Sequence, residues 1–210
     1  LMMPLSAAAP LIARRVGMRN MFVGGSLLVA AGLAIMASMA SVEGGYWSIL
    51  PGLLVLAIGV GLIMTPGTTA ITESLPQEEQ GVASALNDTV REFGGAVGIA
   101  LLGSIMSAGY SSAVSSSTAG LPAEAATAIE EGIGGAVAVA SSMGPDGARV
   151  MDAARSAFLD GWALSMWVSA ALALGVAVLA AFWTPSGKSV AAAAEAAARD
   201  AAPTTGDETL

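Results

Sequence analysis

Two uncharged runs, Met21–Val42 and Trp47–Thr72, set the terms for anything this chain can fold into. A bilayer core of about 30 Å is crossed by roughly 20 helical residues rising about 1.5 Å each, and each run is long enough. A third run, Gly161–Thr184, has the same character and carries Trp162, Trp167 and Trp183, a residue type that settles at membrane–water interfaces. The stretch Phe93–Tyr110 is barely long enough alone and follows Asn87, Asp88, Arg91 and Glu92. Its helix is expected to begin near Ser84, with the charged turns at or just inside one interface. Composition removes the soluble alternative. Only 11% of the residues are charged and 55% are hydrophobic, against about 25% charged in an ordinary soluble domain, so lipid is the expected solvent.

The net charge of −8 does not point to a basic partner. Most acids fall in Glu73–Glu79, in Glu124–Asp160 and in the tail from Glu195, and no basic stripe exists that could follow a phosphate backbone. Nucleic acid is therefore excluded as a partner. The sequence contains neither cysteine nor histidine, which removes disulfides, thiol nucleophiles, imidazole bases and the usual zinc sites. No metal and no cofactor is implied, and proton handling falls to carboxylates. An enzyme acting on lipid is disfavoured on the same grounds, since the spans hold no paired-carboxylate or metal-ligand spacing.

Basic residues orient the spans. Arg14, Arg15 and Arg19 cluster before the first complete span, which puts that loop in the cytoplasm. The expected order is a truncated transmembrane helix at 1–13, a cytoplasmic loop at 14–20, and spans at 21–42 and 47–72. A cytoplasmic loop at 73–83, a span at 84–110, an extracytoplasmic loop at 111–160, a span at 161–184 and a cytoplasmic tail at 185–210 complete it. Lys188 and Arg199 in the tail agree with this orientation. Within the outer loop, Ala123–Glu131 (opened by Pro122) and Ala148–Asp160 are expected as short helices. The uncharged Gly132–Met143 is too short to span and is expected at an interface or under protein cover.

Three groups of residues carry the motifs. Gly94 and Gly98, with the row Ala96, Ala100, Ser104 and Ala108 and the neighbouring Gly95, Gly103 and Ser107, would let helix backbones approach closely, which matters in lipid because hydrophobic burial no longer drives association. Pro66 and Gly67, in a span also interrupted by Pro51, Gly59 and Gly61, predict a kink, because proline removes a backbone donor. Asp88, Arg91 and Glu92 share one helix face, so Asp88 can pair with Arg91 or lie beside Glu92. Ionisable groups at membrane depth mark ion or substrate pathways. An interfacial ion pair anchoring the helix end is the competing reading of that cluster.

The segment Arg91–Tyr110 also resembles a signature of the drug:proton antiporters of the major facilitator superfamily, in the fourteen-helix EmrB/QacA-type branch. Their penultimate helix carries L-G-x-x-x-G-x-A-V-x-G-x-L-x-x-x-x-Y. Gly94, Gly98, Ala100, Gly103 and Tyr110 fall on its fixed positions, while Phe93, Leu101 and Ile105 are apolar substitutes. Leu62–Ala85 and the long outer loop are similar to the family's neighbouring segments. Arg15, Gly17 and Arg19 match an echo of its cytoplasmic motif G-x-x-x-D-R-x-G-R-R, with Pro10, Arg14 and Met18 departing from it.

The resemblance implies an all-α integral membrane protein. It would be the C-terminal part of a major-facilitator helical bundle, with four complete transmembrane helices plus a truncated first one. It further implies proton-coupled export of small hydrophobic compounds from a multi-pass place in the cell membrane. The partners would be the lipid bilayer, a small-molecule substrate, protons and the missing N-terminal helices of the same transporter. Asp88, Arg91 and Glu92 are the proton-coupling or gating candidates. A membrane-embedded interaction or anchoring subunit without transport activity is the alternative.

Overall fold

Gly17 opens the first long helix. Its φ of 87° lies in the left-handed region that a Cβ disfavours, and from it α1 runs Met18–Met39. The Met21 N–H donates to the Gly17 carbonyl at 3.1 Å. Helix α1 stops where Ala40 turns extended, and a tight turn held by serine hydroxyls reverses the chain. The Gly44 N–H donates to Ser41 Oγ at 3.0 Å, the Ser41 N–H donates to Ser48 Oγ at 3.3 Å, and Gly45 takes a φ of 49°. The computed structural model describes residues 15–72 and 77–183, with backbone alone at 65–67, 69–72 and 77. The expected half-helix at 1–13, Arg14, Glu73 and the tail from 184 lie outside that set.

After the turn, α2 spans Gly45–Thr72. A 3₁₀ turn at Gln77–Glu79 leads into α3, Gln80–Val114. Two short helices follow, α4 at Ala123–Glu131 and α5 at Ile133–Ser142, and α6 runs Gly147–Trp183. Four of these helices are long and apolar enough to cross a membrane, and no strand occurs among the described residues. The protein is an all-α, multi-pass membrane bundle. Its long helices neighbour one another in the order α2, α1, α6, α3, with only a light contact between α2 and α3.

Several boundaries differ from those expected, each for a local reason. Helix α1 lies a few residues earlier than the charge-free run, because Gly17 and Ala40, not hydropathy, fix its ends. Helix α3 takes in Gln80–Ala83 and Ser111–Val114 at its two ends, and at the second end Val114 is drawn into the buried cluster with Tyr110. The expected short helix at Ala148–Asp160 is continuous with the last span in α6, since nothing in Asp160-Gly161-Trp162 interrupts the ladder. Pro66 and Gly67 lie within α2.

The α1–α2 pair is held by backbone approach. A Cβ built on Gly32 would lie 2.6 Å from Leu56 N and 2.8 Å from the Gly52 carbonyl oxygen. One on Gly59 would lie 2.7 Å from both the Gly25 carbonyl oxygen and Val29 N, and one on Gly52 would overlap Met36 Cγ. Gly25 and Gly32 on one helix thus face Gly59 and Gly52 on the other at heptad spacing. In lipid such contact relies on dispersion between backbones, which small residues permit.

The α3–α6 pair uses the same device once. A Cβ on Gly161 would lie 2.5 Å from the Met106 carbonyl oxygen, and one on Gly109 would lie 2.8 Å from Gly161 Cα. One turn further along, the buried Ser165 hydroxyl reaches across to the Leu102 carbonyl oxygen at 3.1 Å and is also 3.2 Å from the Gly161 carbonyl oxygen of its own helix.

The main cluster of buried side chains sits at one end of the bundle. Tyr110, Val114, Ile129, Ala136, Ala140, Val150, Ala154 and Ala157 pack together, drawing on the end of α3, on α4 and α5, and on the start of α6. Glu124, Glu131, Asp146, Arg149, Asp152 and Arg155 are exposed around it, a surface that water accepts and hydrocarbon rejects. This cap therefore coheres by the hydrophobic effect. Helix α5, formed from the uncharged segment too short to span, is covered here on the face of Ala136 and Ala140.

Candidate functional site

The charged cluster lies on the first half of α3, where that helix passes the end of α2. Asp88, Arg91 and Glu92 are all exposed. They share a face as their spacing predicts, yet no ion pair within 4.0 Å joins them among the described residues, where the ion pair found is Arg155–Asp152 at 3.6 Å on the cap. The guanidinium of Arg91 turns instead toward α2 and lies 3.8 Å from Met64 Sδ. A thioether is a weak acceptor, so this contact positions the arginine without neutralising it. The ion pair that the spacing permits is not formed among the described residues. Two carboxylates and one guanidinium remain exposed on one helix turn.

The small-residue motif divides in two. Gly94, Gly95, Gly98 and Gly103 each have open space where a Cβ would project, and Ala96 and Ala100 are exposed. No described residue packs against them. Phe93 and Ile99 are more than 70% exposed alongside. Tyr110, in contrast, is buried, and its hydroxyl donates to the Ile129 carbonyl oxygen at 2.9 Å, tying α3 to α4. The last fixed position of the motif belongs to the cap and the earlier ones to an uncovered face.

At the other motif positions, Arg15 is exposed, Arg19 half-buried, and Gly17 holds the positive φ that begins α1. Pro66 and Gly67 lie within the backbone of α2, and their side-chain surroundings fall outside the described residues. Sequence reasoning singled out Gly59 as an interruption of its span but missed its partners in holding the helices together: Gly25, Gly32 and Gly52, the Gly109–Gly161 contact and Ser165. The heptad spacing of the first four was a readable signal. What singles them out is their antiparallel register, which only the packed pair reveals.

Residues 1–99 match the family model described as the Major Facilitator Superfamily. The chain is 38% identical over 133 residues to the multidrug efflux pump LfrA of Mycolicibacterium smegmatis, covering 63% of this chain and 26% of that protein. It is 28% identical over 179 residues to the methyl viologen resistance protein SmvA of Salmonella typhimurium, covering 83% of this chain and 35% of that protein. Over 113 residues it is 30% identical to the multidrug resistance protein Stp of Mycobacterium tuberculosis, covering 51% of this chain and 21% of that protein. The chain thus spans roughly a third or less of the length of these relatives. No solved structure matches it.

Proposed function

We propose, for a chain whose residues 1–99 match the model of the Major Facilitator Superfamily, that it forms part of an exporter of small hydrophobic compounds driven by proton antiport across the cytoplasmic membrane. The observation that carries this reading is the similarity to proteins named for multidrug efflux and resistance, in a chain with four membrane-length helices. On this reading the Arg15 end of the bundle faces the cytoplasm and the cap faces out. Further helices of the same transporter, of the fourteen-helix branch, cover the small-residue face of α3.

The charged turn of α3 then has a defined task. A coupling ion shifts a conformational equilibrium only through different affinity for the two states. Asp88 and Glu92 beside Arg91, which forms no ion pair among the described residues, supply such a difference if one state dehydrates them and the other leaves them wet. The open glycines above the cluster give an incoming helix room to close over it.

The test is efflux of a fluorescent hydrophobic cation from cells expressing the full-length transporter. Asp88→Asn is expected to lower the proton-dependent efflux rate at least about tenfold, the scale of a loss of about 1.4 kcal/mol in coupling, while membrane abundance stays within twofold of the parent. Efflux unchanged at equal abundance would reduce the cluster to an interfacial anchor.

A further inference from the structure

We infer that the open groove between α1 and α6 holds one acyl chain of a phospholipid from the leaflet next to the cap. The two helices run antiparallel. Ala40 and Ser41 of α1 lie level with Phe158 and Trp162 of α6, and Leu27–Ala34 lie level with Trp167–Leu174. Depth follows from counting along α6. Trp162 and Trp183 are separated by about 30 Å of helix at about 1.5 Å per residue, the thickness of a bilayer core. The two indoles thus stand at its two surfaces, where tryptophan settles. On that scale Trp167 lies about 8 Å below the cap-side surface and Leu174 about 18 Å below it, close to the midplane.

The groove lies on the side of α1 turned away from α2. Gly25 and Gly32 meet α2, whereas Leu27, Ala31 and Ala34 sit about half a helical turn round from them. Buried Ala30 and Ala170 floor it, and exposed Ala31 and Ala171 keep it shallow. Leu27 and Leu174 stand level with each other and close its deep end. Toward the cap, Ala34 and the exposed Ser38 beyond it leave the groove open. A chain hanging from the cap-side surface therefore enters at the open end and finishes against the two leucines. A volume of about 310 Å³ over roughly 10 Å of helix leaves a cross-section of about 30 Å². That is too slender for a further helix about 10 Å across and suits a polymethylene chain. Moving from bilayer hydrocarbon into this groove gains nothing from burial. The hold is dispersion, because atoms of the groove that would otherwise face a void meet the chain.

Photolabelling of the full-length polypeptide in lipid nanodiscs tests this. Two phosphatidylcholines serve as probes, one with a diazirine at the end of an acyl chain and one with it in the upper half, and mass spectrometry locates the adducts. Leu164 and Val178, exposed on α6 outside the groove, report the labelling by lipids that merely surround the protein. The chain-end probe is expected to label Leu27 and Leu174 above that level, and the upper probe Ala34 and Trp167. Ala31→Leu combined with Ala171→Leu fills the groove. At unchanged membrane abundance it should cut the groove adducts at least about fivefold, the low end of an overpacking cost, and leave those at Leu164 and Val178 as they were. Groove labelling no higher than at Leu164 and Val178 overturns the inference, whether lipid there is unselected or another helix covers the site. The reverse order of the two probes, which means a chain from the opposite leaflet, overturns it too, as does a double variant that keeps the parent's adducts.

Discussion

The Tyr110 hydroxyl ties α3, a membrane-length helix, to the water-facing cap. Tyr110 closes a helix whose other face is uncovered, and its bond to the Ile129 carbonyl gives the cap a fixed place on α3. Replacing Tyr110 by Phe keeps the ring in the core and removes the donor, at a cost of about 1 kcal/mol to the cap. Hydrogen exchange should read this as faster exchange of α4 amides, by roughly five- to tenfold on that energy, with α1 and α2 unchanged. Gly17 works at the same scale through its φ of 87°. It is also the one described position of the basic loop motif whose identity the backbone dictates.

At the level of the helix pair, glycine placement decides which contacts are tight. Gly32→Ala places a methyl 2.6 Å from a backbone nitrogen of α2, so the pair must spread. The expected loss is about 1–3 kcal/mol, as for overpacking elsewhere, measurable by detergent titration of helix content. Gly103→Ala, which meets open space in α3, should cost nothing in the same measurement on the 210-residue chain. The sequence makes the helices themselves legible, because long runs without charge have few other solutions. It does not make their partners legible. Gly94, Gly98 and Gly103 look in sequence like packing glycines no less than Gly25, Gly32, Gly52 and Gly59 do, and the two sets differ only in whether a neighbouring backbone lies opposite. The Asp88–Arg91 spacing fails in a related way. It permits a pair, but Met64 on another helix offers Arg91 an alternative that no local reading of α3 contains.

The bundle as a whole presents one side without cover, along α3 from Val82 through Phe93 to Ile99. On the proposed function that side receives further helices of the transporter, and Gly103→Leu should then separate two measurements. The helix content of the 210-residue chain in detergent stays as it was, whereas efflux by the full-length transporter falls to a few per cent of the parent, the result of a side chain wedged where a backbone should sit. Equal efflux by parent and variant would mean that nothing closes over that face.

The cap core has a thermal consequence. Apolar surface withdrawn from water carries a large heat-capacity change and loses its driving force on chilling, whereas rods already surrounded by hydrocarbon forgo that contribution. Tyr110, Ile129, Ala136 and their neighbours therefore form the cold-sensitive part of the molecule. Near freezing, the outer ends of α3 and α6 should loosen from each other first, while the glycine-locked pair of α1 and α2 keeps its grip.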